Sequence, residues 1–245
     1  MEGKRPRFIL LDALRGVGIL LMVGYHFLFD WNFLVEPIVD LNEPFWFILA
    51  RGAAAMFVGL AGGSMVLYAH RRGMGFSSLF KRGLAILGLG MVITLVTWLV
   101  FPTYTVWFGV LHLIGSALIL GIPFLTQKTG SLVAGLFFLG GGILLSTNPL
   151  YGILPPLIGI IPFPFLTFDY FPLFPWFGVF LLGMYASHRL FPRGHPVYPW
   201  LGQSHGTPIT RLLGWIGRNS LVIYFIHQPL LLGILVGLGK IHLSI

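Results

Sequence analysis

The sequence predicts an all-α, polytopic transmembrane helix bundle of about seven spans, with the N-terminus cytoplasmic and the C-terminus outside. Three observations carry this: the composition, a series of apolar stretches of span length, and a one-sided distribution of basic residues. Of 245 residues, 56% are hydrophobic and 9% charged, against about 25% charged in an ordinary soluble domain. The mean hydropathy is +0.89. A soluble core cannot absorb that much apolar surface, whereas a bilayer can. Cysteine is absent, which excludes a disulfide framework and a thiolate metal site, and no metal is expected.

Near-continuous apolar stretches fall at 8–30, 45–69, 83–101, 106–125, 130–147, 173–188 and 219–239. Each is close to the roughly 20 residues that cross a bilayer. The first has no small-residue cleavage site, so it reads as a retained span rather than a signal peptide. With the N-terminus inside, Lys4, Arg5, Arg7, Arg71, Arg72, Lys81, Arg82, Lys128, Arg189, Arg193, Arg211 and Arg218 all fall on the cytoplasmic side. Lys240 alone falls outside, together with the acidic Glu36, Asp40, Glu43 and Asp169. This is the positive-inside pattern. It accounts for the net charge of +8 by topology, and a nucleic-acid partner is not expected.

Two segments are not plain spans. Residues 148–172 carry Pro149, Pro155, Pro156, Pro162, Pro164 and Pro172, too many for one helix. They are also aromatic, with Phe163, Phe165, Phe168, Tyr170 and Phe171. Two readings fit: an aromatic belt at the outer interface, or a lid over an outward-facing site. Residues 189–217 are polar and Pro-interrupted and form the longest cytoplasmic loop. With no internal repeat, heptad or soluble segment, the chain reads as a single domain over 1–245.

Ionisable side chains inside a membrane are costly, which makes each a functional candidate. The first span holds Asp12, Arg15, His26 and Asp30. At 100° per residue they point at about 0°, 300°, 320° and 0°, one stripe roughly 60° wide. That stripe must face the bundle interior or a wet cavity. Asp12 and Arg15 also fit a plain i,i+3 ion pair, and His26 and Asp30 fit an interhelical tie. Arg51 and His112 fall in the outer third of the second and fourth spans. If those helices are neighbours, they reach the level of His26 and Asp30. In the last span Ser220, Tyr224 and His227 share one face. The polar residues then outline a track from the cytoplasmic face to an outer cluster. For Arg51, His112 and His227, site and packing roles stand equally open.

The stretch "LDALRGVGILLMVGYH", residues 11–26, is similar to the start of the acyltransferase family 3 membrane enzymes, marked by Arg, ten residues, then His. Here these are Arg15 and His26. The stretches "YHFLFD", "FGVLHLIG", "DYFPLFPWFG" and "GRNSLVIYFIHQP" resemble the prokaryotic membrane family related to the catalytic region of heparan-α-glucosaminide N-acetyltransferase. That resemblance covers most of the chain. Relatives generally have more spans than this chain has room for. The lysosomal enzymes place their catalytic His in the loop after the first span, whereas loop 31–44 here has none.

The resemblance implies transfer of an acyl group, most simply acetyl, from cytoplasmic acyl-CoA to a sugar or other hydroxyl or amine acceptor outside. It implies an integral protein of a prokaryotic plasma membrane, whose partners are the lipid bilayer, acyl-CoA and a glycan or small-molecule acceptor. A homodimer is compatible with it. His26 is the expected general base, with Asp30 orienting the imidazole, and Arg15, His112 and His227 complete the catalytic candidates. The CoA end falls to Arg15, Arg71, Arg72, Lys81, Arg82, Arg218, Asn219 and Ser220. Two rival readings remain: a small channel or transporter using the same buried groups, and a non-catalytic subunit whose polar stripe ties helices together.

Overall fold

The computed structural model describes residues 8–72, 75–146, 166–203 and 206–240. Among them it is helical throughout, without a strand and with a single isolated bridge, between Phe108 and Tyr170. The α-helices are α1 (Ile9–Leu34), α2 (Pro44–Arg72), α3 (Phe76–Val100), α4 (Val110–Leu120), α5 (Lys128–Ser146), α6 (Leu173–Leu190), α7 (Pro208–Arg218) and α8 (Ser220–Gly237). Among the described residues α1, α2, α3, α5 and α8 are long and apolar enough to cross a membrane. The predicted polytopic helical membrane bundle is therefore the observed architecture.

Two elements differ in form from their sequence-based expectations. Within 106–125 the α-helical part, α4, has only 11 residues, about 16 Å of rise against a hydrocarbon core of about 30 Å. Gly109 holds the chain extended before α4, and Pro123 sits in a 3-10 turn, Ile122–Phe124, after it. The segment 189–217, expected to be a loop, is not all loop, because Pro208–Arg218 forms α7. Thr207 caps it by accepting the Thr210 N–H at 3.3 Å, and Pro208 supplies a pre-set φ at its first position. The part of the Pro-rich segment holding Pro149, Pro155, Pro156, Phe163 and Phe165 lies outside the described residues.

The chain folds as two compact units, one formed by residues up to Phe57 with those from Tyr198 on, the other by Val58–Val197. In the first, α7 crosses the N-terminal half of α1 backbone to backbone. A Cβ on Gly16 would strike the Leu213 carbonyl, and one on Gly217 would strike that of Asp12. Small residues permit such close crossings where no hydrophobic force joins helices in lipid. Asn219 then breaks the path, its Nδ2 donating to the Trp215 carbonyl at 2.9 Å, and α8 begins at Ser220. Ile209, Leu212 and Trp215 on the exposed side of α7 are 70%, 60% and 57% accessible, an apolar face suited to the membrane interface.

In the second unit α5 packs on α6 through Gly135 and Gly178, and α3 on α4 through Gly83 and Gly115. Asp169 accepts the Val110 N–H at 3.0 Å, which satisfies a free donor at the start of α4. Phe168 stacks on Tyr104 at 5.1 Å and meets Phe101 edge-on at 5.3 Å. The described end of the aromatic segment is thus tied to the loop between α3 and α4.

Candidate active site

Seventeen residues along α1 from Ile9, the helix brings His26 against α8. His26 and His227 meet edge to face, with ring centroids 4.9 Å apart. One turn further on, Asp30 accepts a hydrogen bond from Gln228 Nε2 at 2.8 Å. Two adjacent positions of α8 therefore engage two positions of α1 one turn apart, as an i,i+4 spacing allows. Pro229 follows at once within α8. It has no N–H to give the Phe225 carbonyl, which loosens the helix beside the cluster.

The hydrogen bonds assign the tautomers. His26 Nδ1 lies 2.9 Å from the Met22 carbonyl and His227 Nδ1 lies 2.5 Å from that of Tyr224. A carbonyl only accepts, so in both rings Nδ1 carries the proton and Nε2 the lone pair. Asp30 is 3% exposed and His227 7%. Among the described residues, Asp30 Oδ2, Gln228 Oε1, His227 Nε2 and the neighbouring Trp31 Nε1 are buried without a hydrogen-bond partner. Orphaned polar atoms are rare in native structures, and a cluster of them marks a place where water or a ligand belongs. His26 is itself only half-buried, and it interacts electrostatically with Asp30.

Toward the N-terminal end of α1, Arg15 pairs with Asp12, Nη1 to Oδ1 at 2.8 Å, the i,i+3 pair that the spacing allows. Arg218 ends α7 exposed, and Ser220 opens α8 buried. Arg51 lies over the Phe47 ring at 5.4 Å. In the second unit Arg71 is half-buried, Lys81 and Arg82 are exposed, and Arg82 lies 6.0 Å from the Tyr68 ring; Arg72 closes α2.

His112, also in the second unit, is engaged at both nitrogens. Nδ1 accepts the Gly109 N–H at 3.2 Å, and Nε2 bonds Thr94 Oγ1 at 3.2 Å, which donates on to the Val106 carbonyl at 2.6 Å. That closed chain caps α4 and leaves no lone pair free for proton transfer. The sequence reading passed over Gln228 as a site residue. Its signal was a carboxamide beside His227 in an apolar helix. It also passed over His70 and His188, whose rings lie 6.2 Å apart.

Among the described residues no group of three or more His, Cys, Asp or Glu comes together to hold a metal. A family model, the heparan-alpha-glucosaminide N-acetyltransferase catalytic region, matches residues 7–229. The chain belongs to this family. The match takes in α1 through His227 and Gln228, and with it both sides of the cluster. Comparison with curated proteins and with solved structures finds no match. Membership makes acetyl transfer the general reaction of this integral membrane protein.

Proposed function

We propose that the protein transfers an acetyl group from cytoplasmic acetyl-CoA to a hydroxyl or amine acceptor, a sugar among the candidates, on the outer side of a prokaryotic plasma membrane, with His26 as general base. The observation that supports this best is the pairing of His26 and Asp30 with His227 and Gln228 around buried polar atoms that lack partners. The family's name points to an amino sugar as the acceptor class.

The acceptor oxygen or nitrogen attacks the thioester carbonyl while His26 Nε2 takes its proton. The carbon–sulfur bond then breaks, and the imidazolium returns the proton to the CoA thiolate. Asp30 stabilises the imidazolium while it exists. His227 Nε2, a lone-pair acceptor, orients the incoming N–H or O–H. Arg15, Arg218, Asn219 and Ser220 are the first unit's candidates for the CoA end, and Arg71, Arg72, Lys81 and Arg82 the second unit's. His26 lies about 25 Å along a straight α1 from Ile9, a distance that separates phosphate recognition from chemistry.

The test follows from that separation. His26→Ala should lower transfer by about 10²–10⁴-fold and leave acetyl-CoA affinity unchanged on the same preparation. Full transfer by the variant would move the base elsewhere, and a wild type that binds no acetyl-CoA would return the protein to the channel reading.

A further inference from the structure

The bond between Gln228 and Asp30 uses one end of each side chain. Gln228 gives an N–H of its amide nitrogen to Asp30 Oδ1 at 2.8 Å, which leaves its carbonyl oxygen Oε1 unused. Asp30 keeps Oδ2. Both remaining atoms are buried and unpartnered among the described residues, and both are acceptors. The preceding residue of α8, His227, donates Nδ1–H to the Tyr224 carbonyl and presents a third acceptor, Nε2. Trp31 Nε1–H, beside Asp30 in the chain, is the one orphaned donor of the group.

A buried acceptor without a donor costs about 1–3 kcal/mol, more when charged, so a set of this composition specifies its occupant. It admits a group rich in N–H or O–H, above all an ammonium, and repels a carboxylate or phosphate. We infer that Gln228 is the acceptor-positioning residue of the site: its Nε2 clamps Asp30, and its Oε1 joins Asp30 Oδ2 in a two-acceptor subsite for the ammonium or hydroxyl groups of the acceptor. The inference rests on the acetyl-transfer reading for its biological meaning and on the hydrogen-bond inventory for its chemistry.

Glucamine and gluconate serve as probes, six-carbon polyols that end in an ammonium or a carboxylate. Their binding to the purified full chain is measured by calorimetry without donor, with acetyl-CoA binding measured in parallel. Wild type should bind glucamine and not gluconate. Gln228→Leu should weaken glucamine by about tenfold to a hundredfold, the loss expected for a hydrogen bond to a charged group, with acetyl-CoA affinity unchanged. Gln228→Glu discriminates positioning from mere support of the fold. It gives up the amide donor, as leucine does, yet keeps an acceptor at Oε1, and can share a proton with Asp30. It should hold glucamine within about threefold of wild type.

Equal loss in both variants would reduce Gln228 to a structural tie, and binding of gluconate as tight as glucamine would overturn the subsite. So would an absence of glucamine binding in a wild type that binds acetyl-CoA, and acetyl transfer would survive that result. Gln228-dependent glucamine binding without acetyl-CoA binding would do the reverse, keeping the subsite and removing the transfer reading.

Discussion

Asp30→Asn separates the charge of Asp30 from its shape. The side chain is 3% exposed and accepts from Gln228 Nε2 at 2.8 Å. An asparagine oxygen can accept the same bond, so the α1–α8 tie should survive and the melting temperature should fall by no more than a few degrees. What disappears is the negative charge one turn from the imidazole. Helix neighbours four apart sit about 6 Å from each other at Cβ. Unit charges at about 6 Å attract by about 3 kcal/mol at an effective dielectric constant of about 20. The imidazolium formed in the transition state loses that stabilisation, which corresponds to about 10²-fold in kcat. The acetyl-CoA dissociation constant should not move, because Asp30 lies away from the CoA end, whereas glucamine binding should weaken, because Asp30 Oδ2 is one of the two acceptors of the ammonium subsite. The assay is transfer of radiolabelled acetyl by the purified protein in detergent, with thermal unfolding and acetyl-CoA binding on the same sample. An unchanged kcat would refute the ion-pair role. A kcat loss matched by lost acetyl-CoA affinity would place Asp30 on the donor's path instead.

Arg15→Ala should raise KM for acetyl-CoA by about tenfold with kcat little changed, the signature of lost ground-state binding; an unchanged KM would leave Arg15 as the partner of Asp12 alone. Gly217→Leu places side-chain atoms on the Asp12 carbonyl, and thermal unfolding should register a loss of about 1–3 kcal/mol. His112→Ala leaves the Gly109 N–H and Thr94 without their partner, and should cost about 1–3 kcal/mol by the same measurement. Cysteines introduced at Glu36 should react with an impermeant label from outside the cell, and those at Gly75 and Gln203 only after permeabilisation; labelling of Gly75 from outside would overturn the orientation.

Much of the fold is legible in the sequence because a bilayer imposes one-dimensional constraints. Span length, apolar run and loop charge are all local, so α1, α2, α5 and α8 could be read off within a few residues, whereas α3 starts at Phe76, ahead of the apolar run, with Lys81 and Arg82 inside its first turns. Helical periodicity is local too, and it put His26 and Asp30 on one face before any neighbour was known. The limits of α4 were not legible, because 106–125 is apolar throughout. What limits that helix is the extended Gly109 before its first residue, where Asp169 from 59 residues further on accepts the Val110 N–H, and the turn at Pro123 after its last. Helix α7 was hidden for the opposite reason. Its stability comes from glycines seated on the backbone of α1, and an 11-residue segment of mixed polarity carries no span signal of its own. The partners of the site were decided by tertiary structure alone. The periodicity of α8 says that Ser220, Tyr224 and His227 share a stripe, but only packing against α1 sets which α1 residue each polar group meets. That register joined His227 to His26 and Gln228 to Asp30, while the packing of α3 on α4 spent the lone pair of His112 Nδ1 on the Gly109 N–H. Depth along a span is written in the chain; which faces touch depends on how helices far apart in sequence pack together.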